Sequence, residues 1–123
     1  MDILGLPHAV FVSTADVNDR EGALSMIACA KTTLSKCLKV LVDGGYSGEK
    51  FANSVKGLIG GAVEVVKRNE LHKFVVLPKR WIVERSFAWL EDNRLLWKNC
   101  ERKLHNSLQA VKFAFIALLL RRY

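Results

Sequence analysis

At 123 residues the chain is long enough to bury a core and short enough to form one domain, residues 1–123. Nineteen Lys and Arg against twelve Asp and Glu leave a charge of +7, so nucleic acid is the first partner to consider, an anionic membrane the second, and plain solubility the bland alternative. Three cysteines, Cys29, Cys37 and Cys100, without a C-x-x-C pair or Cys/His zinc spacing, argue against a disulfide scaffold or structural zinc and for a reduced, cytoplasmic chain.

The opening MDILGLPHAV carries no positive region and does not read as a signal peptide. Residues 9–14, AVFVST, are β-branched and aromatic after a GLP turn and predict a strand, with Met1 to Leu4 as the end of a hairpin partner. In TADVNDREGA, Asn18 or Asp19 caps a helix that runs to about Lys36, with Leu24, Ile27, Ala28, Thr32 and Leu34 near its inward face. KVLVDGGYSG, residues 39–48, is a short apolar run closed by Asp43 and two glycines, the pattern of a fully buried, parallel strand. A short helix from about Gly48 to Lys56 follows, then AVEVVKR (62–68) as another strand, a long helix after Pro78, and a last helix over 105–122. The most apolar tract, VKFAFIALLL (111–120), contains Lys112 and falls short of the ~20 residues a membrane span needs, so it reads as a helix that is buried or docked on a partner. This order of elements predicts an α/β sheet with helical cover.

Two carboxylates stand out. In LPKRWIVERSFAWL, residues 77–90, Val83, Phe87 and Leu90 form one buried stripe with Arg80 and Glu84 at its edge, while Ile82, Arg85 and Trp89 fall on the opposite side, a face expected to be covered too, by the last helix. Ionising Glu84 at a core border costs energy unless a cation meets it, and the simplest partner is Arg80 one turn earlier. Asp43 ends a strand where open α/β sheets place their ligands, although a turn aspartate before glycine is common. If both acids converge on one sheet edge of a basic protein, Mg²⁺ or Mn²⁺ held over a phosphodiester is the chemistry they suit.

VDGGYSG, a V-x-V-x-K-R strand and LPKRWIVERSFAWL, together with GLPHAVFVSTADVNDREGA near the start, resemble the C-terminal part of the catalytic domain of bacterial insertion-sequence transposases of the DDE type, insertion-sequence-five group. The resemblance covers essentially the whole chain. It implies a ribonuclease H-like mixed sheet, metal-dependent DNA strand cleavage and transfer, Asp43 and Glu84 as two catalytic, metal-binding acids, and Arg80 as the arginine one turn before the glutamate. Related transposases carry a tyrosine three residues before that arginine and a lysine seven after the glutamate, where this chain has Leu77 and Glu91. The family's first aspartate lies upstream of the matching region, and Asp2 corresponds to a non-catalytic strand residue.

The expectation is therefore an N-terminally truncated domain lacking its first central strand, with a hairpin displaced or re-paired against the Asp43 strand, and with little or no cleavage by the isolated chain. DNA is the expected partner, through Lys79, Arg80, Arg85, Arg94 and Lys98, continuing to Arg102 and Lys103, and a solvated charged face is the alternative. Trp81 and Trp89 sit at helical spacing and are expected in a core more than stacked on a base. His8, His72 and His105 suggest no ligation. A non-catalytic DNA-binding remnant, or a chain that forms homo-oligomers or pairs with full-length transposase through its last helix, is the competing reading.

Overall fold

The computed structural model describes residues 1–66, 80–98 and 100–122. The chain divides into two compact units, Asn18–Pro78 and Met1–Val17 with Lys79–Tyr123.

In the first unit, helix α1 (Asp19–Cys29) starts where the Asn18 side chain accepts the Arg20 N–H at 2.9 Å, and Asp19 and Glu21 in the first turn suit its positive end. The helix does not continue to Lys36. It breaks at Ala30 (φ −103°, ψ 19°) and restarts as the short α2 (Lys31–Leu34). Thr32 and Thr33 are stiff, weak helix formers, and the Ser35 hydroxyl donates back to the Thr32 carbonyl at 2.8 Å. As a result Ala28 and Thr32 are exposed, and the inward residues are Ala23, Leu24, Met26, Ile27 and Leu34.

Strand β1 (Lys39–Asp43) pairs in parallel with β2 (Ala62–Val66), Lys39 opposite Ala62 and Asp43 opposite Val66. Between them run a 3₁₀ turn (Gly44–Tyr46) and helix α3 (Glu49–Ile59). α3 ends at Gly60, whose φ of 73° suits a residue without a side chain and whose N–H caps the Lys56 carbonyl. Phe51, Val55 and Ile59, one turn apart, are buried against Ile27, Val40, Val42 and Val63. Each such side chain contributes about 1.5–3 kcal/mol. β1 is not the fully buried strand expected. Val40 and Val42 face the helices while Leu41 is 39% exposed, because the described helices cover one face only.

The predicted strand at 9–14 does not form, and among the described residues β1 pairs with β2 alone. A strand needs a neighbour to satisfy its backbone, and here Val10 instead packs on the helices of the second unit. Those helices are α4 (Arg80–Glu91) and α5 (Leu104–Arg122), joined through a 3₁₀ turn at Arg94–Leu96. Leu90, Ala114 and Phe115 form their core, with Val10, Leu96, Val111 and Leu118 around it. The buried row of α4 is Ile82, Ser86 and Leu90, not Val83, Phe87 and Leu90; Val83 and Phe87 are 44% and 54% exposed. On α5, Phe113, Ile116 and Leu120 also remain exposed. No described helix is long and apolar enough to cross a membrane.

Candidate functional site

Asp43 stands at the C-terminal end of β1, exposed, as the cap of the following 3₁₀ turn. Its Oδ1 accepts the Gly45 N–H at 3.1 Å, which fixes the direction of the carboxylate. A Cβ on Gly45 would lie 3.2 Å from that oxygen, so the glycine keeps the approach open. Arg20 Nε donates to the Gly45 carbonyl at 2.9 Å and fastens the turn to α1. The Tyr46 ring tilts against Phe51 with centroids 5.6 Å apart. Burial raises the Tyr46 pKa, and the negative charges of Asp19 and Asp43 raise it further, so the phenol keeps its proton. The strand end thus combines an oriented carboxylate, a neutral phenol and a guanidinium tied to the backbone. Asp19, Arg20 and Tyr46 were not anticipated as neighbours of Asp43. The available signal was Tyr46 three residues past it, in DGGY.

Glu84 is exposed on α4, in the second unit, whereas Asp43 belongs to the first. Arg85, next to Glu84, has its guanidinium carbon 4.5 Å from the Trp81 ring centroid and 4.7 Å from that of Trp89. Its Nη2 donates to the Leu4 carbonyl at 3.0 Å, and its Nε is buried without a hydrogen-bond acceptor. Trp81 is half exposed, so the two tryptophans form a stack on the arginine more than a core. Ser86 has no exposed surface, and its hydroxyl lies 2.9 Å from both the Gly5 and the Ile82 carbonyl oxygens.

The loop that supplies the Leu4 and Gly5 carbonyls is closed by Asp2, whose Oδ1 accepts the N–H groups of Leu4 at 2.8 Å and Leu6 at 3.0 Å, while Oδ2 lies 3.0 Å from His8 Nε2. Burial alone pushes the Asp2 pKa up; the His8 hydrogen bond, the Leu6 and Leu4 amides and the His8 charge outweigh it, and the carboxyl lies below its ordinary value.

Arg94 and Lys98 are exposed in the same unit as Arg85, as are Arg102 and Lys103. Lys79, Leu77 and His72 lie outside the described residues, as do the Arg80 side chain and residues 67–68 of the expected second strand. Among the described residues, no group of three or more His, Cys, Asp or Glu is placed to hold a metal.

Residues 1–120 match the family model described as "Transposase DDE domain". The chain is 29% identical over 109 residues to a Burkholderia cepacia protein named "Putative transposase for insertion sequence element IS402"; the match takes in 83% of this chain and 51% of the relative. The chain thus spans about half the length of that curated relative. No solved structure matches it.

Proposed function

The chain belongs to the transposase DDE domain family, and from that premise we propose that it is the C-terminal portion of a DNA strand transferase of an insertion sequence, acting on DNA in the bacterial cytoplasm. The observation that carries this reading is the family match across residues 1–120, with Asp43 where a ligand-binding acid belongs, at the C-terminal end of a parallel strand. The fold in this reading is ribonuclease H-like. The parallel β1–β2 pair with α3 between them supports it.

Asp43 and Glu84 are the residues that would hold Mg²⁺ or Mn²⁺. The donors suit such an ion: carboxylate oxygens are hard ligands, and Asp43 is exposed and oriented by the Gly45 N–H. When bound, the ion neutralises phosphate charge and stabilises attacking and leaving oxygens. The chain's own contributions are different. Asp43 is aimed by its turn, Tyr46 keeps a proton near it, and the exposed cations Arg94 and Lys98, with Lys79 and Arg80 in the same run, attract the phosphate backbone. In this reading the isolated chain cleaves DNA little or not at all.

The test combines three measurements. Duplex binding should weaken linearly in log affinity with log salt; salt-independent binding would remove DNA as the partner. Mn²⁺ affinity should fall in Asp43→Asn and in Glu84→Gln, and an unchanged value in both would remove the metal site. Supercoiled plasmid with Mn²⁺ should stay intact; nicks that vanish in Asp43→Asn would show an active chain.

A second reading is favoured by the exposed Phe113, Ile116 and Leu120 on α5: a non-catalytic form that pairs with another transposase chain or with itself. Sedimentation at rising concentration, with Leu120→Lys as the control, separates it from a monomer.

A further inference from the structure

We propose that Arg85 is a positioning residue and not a phosphate contact: with Ser86 it seats the residue 2–8 loop on α4 and thereby selects the rotational setting of the helix that carries Glu84. The proposal rests on the reading of Glu84 as a metal-binding acid.

The loop side of the contact is organised by hydrogen bonds within the loop itself. Asp2 occupies the Leu4 and Leu6 N–H groups, which leaves the carbonyls of Leu4 and Gly5 as the groups presented to the helix. Gly5 has φ of 83°, and a Cβ there would stand 2.5 Å from Ser86 Oγ, so only glycine lets the loop come this close. The helix side answers with two donors, Arg85 Nη2 and the Ser86 hydroxyl.

Arg85 lies one turn from Trp81 and one turn from Trp89, and its planar guanidinium stacks against both rings. A lysine would keep the charge and lose the planar stack. With ring faces on the guanidinium, Nη2 on a carbonyl and Nε buried, little of this cation is left for a phosphate.

The consequence for Glu84 follows from the apolar residues beside it. By hydrophobicity α4 should bury Val83, Phe87 and Leu90; it buries Ile82, Ser86 and Leu90 instead. At ~100° per residue the two rows differ by a roll of roughly 70°. The tie from Arg85 and Ser86 to the loop outweighs the burial of Val83 and Phe87, and the chosen setting leaves Glu84 on the exposed side. Without the tie, α4 rolls toward its apolar row and Glu84 turns with it.

The experiment uses the full chain with Arg85→Lys, Arg85→Gln and Ser86→Ala. Amide exchange at Leu4 and Leu6 should speed up on the order of 10-fold in both Arg85 variants and several-fold in Ser86→Ala, the worth of one or two hydrogen bonds. Near-ultraviolet circular dichroism from the stacked tryptophans should diminish equally in Arg85→Lys and Arg85→Gln. Mn²⁺ affinity should fall about 10-fold in both, as for residues that orient a ligand, while the salt slope of DNA binding stays at the parent value.

The proposal is overturned if Arg85→Lys matches the parent in exchange and dichroism while Arg85→Gln alone lowers the salt slope by about one counterion, the signature of a phosphate contact. If the parent chain binds no Mn²⁺, the metal reading of Glu84 fails, and the exchange data still decide whether Arg85 seats the loop. If the Arg85 variants lose protection in α3 as well, Ser86→Ala decides, and unchanged exchange at Leu4 and Leu6 there overturns the proposal.

Discussion

In residues 18–66, one helix buries Phe51, Val55 and Ile59 on a parallel strand pair, whereas in the other unit the helix carrying Glu84 buries a serine with no exposed surface. The first arrangement is held by apolar area, which is tolerant of small shifts. The second adds to its Leu90–Phe115 cluster directional contacts to two backbone carbonyls, which are sensitive to small shifts. Stability in the first unit should therefore follow side-chain volume, and in the second it should follow donors, acceptors and backbone conformation.

Four perturbations test this contrast, from the largest effect to the smallest. Phe51→Ala should cost about 3–5 kcal/mol in urea unfolding, because Phe51 is 5% exposed and its cavity is walled by Ile27 and Val55. A cost below ~1 kcal/mol would mean that this core is loosely packed. Gly5→Ala should cost about 1–3 kcal/mol through its positive φ and the collision with Ser86 Oγ. In a double-mutant cycle with Ser86→Ala, part of that cost should disappear, and strict additivity would show that the loop does not sit on Ser86.

Acid should act on the loop next. The folded Asp2 carboxyl lies below its ordinary value of 3.8, so its contribution is complete above that pH and is lost as the pH falls through the lower folded value. Exchange at Leu4 and Leu6 should thus be flat from neutral pH down to about 4, once corrected for intrinsic rates, and rise below it, with Asp2→Asn abolishing the rise. The smallest effect belongs to Glu64→Gln, which breaks the ion pair with Lys39. Both side chains are more than half exposed, so about 0–0.5 kcal/mol is expected.

The first unit was largely legible from sequence. The apolar run KVLV, the alternation in AVEVV and the glycines after Asp43 marked strands and turn close to where they occur, while the helix expected to end at about Lys56 runs on to Ile59. These signals are local, because backbone freedom and side-chain periodicity act within a few residues. The same locality explains the errors. A continuous helix to Lys36 was expected because nothing in the apolar spacing reveals the break at Ala30. AVFVST has strand composition, yet a strand forms only with a partner, and Val10 was drawn instead into the Leu90–Phe115 cluster. On α4 the stripe Val83, Phe87 and Leu90 was expected to be buried and only Leu90 is; the Ile82 side was expected to be covered and is, but Ser86 looks like a surface residue until Gly5 is placed against it.

The candidate site divides in the same way. Asp43 at a strand end and Glu84 on a late helix could be named from their sequence surroundings, since each position depends on its own element. Arg85 could not be distinguished from its basic neighbours, because its role comes from Leu4, a carbonyl about eighty positions away in the chain.

Sequence alone determined the basic charge, the order of helices and strands from β1 onward, the acid at the end of the KVLV run and the likeness to a known family, since each follows from composition and short-range pattern. Tertiary structure alone decided which side of α4 is buried, what Arg85 and Ser86 hold, and that residues 9–14 give up a strand. Those outcomes depend on contacts between segments far apart in the chain, where a hydrogen-bond acceptor or a missing Cβ outweighs the preference of any local stretch.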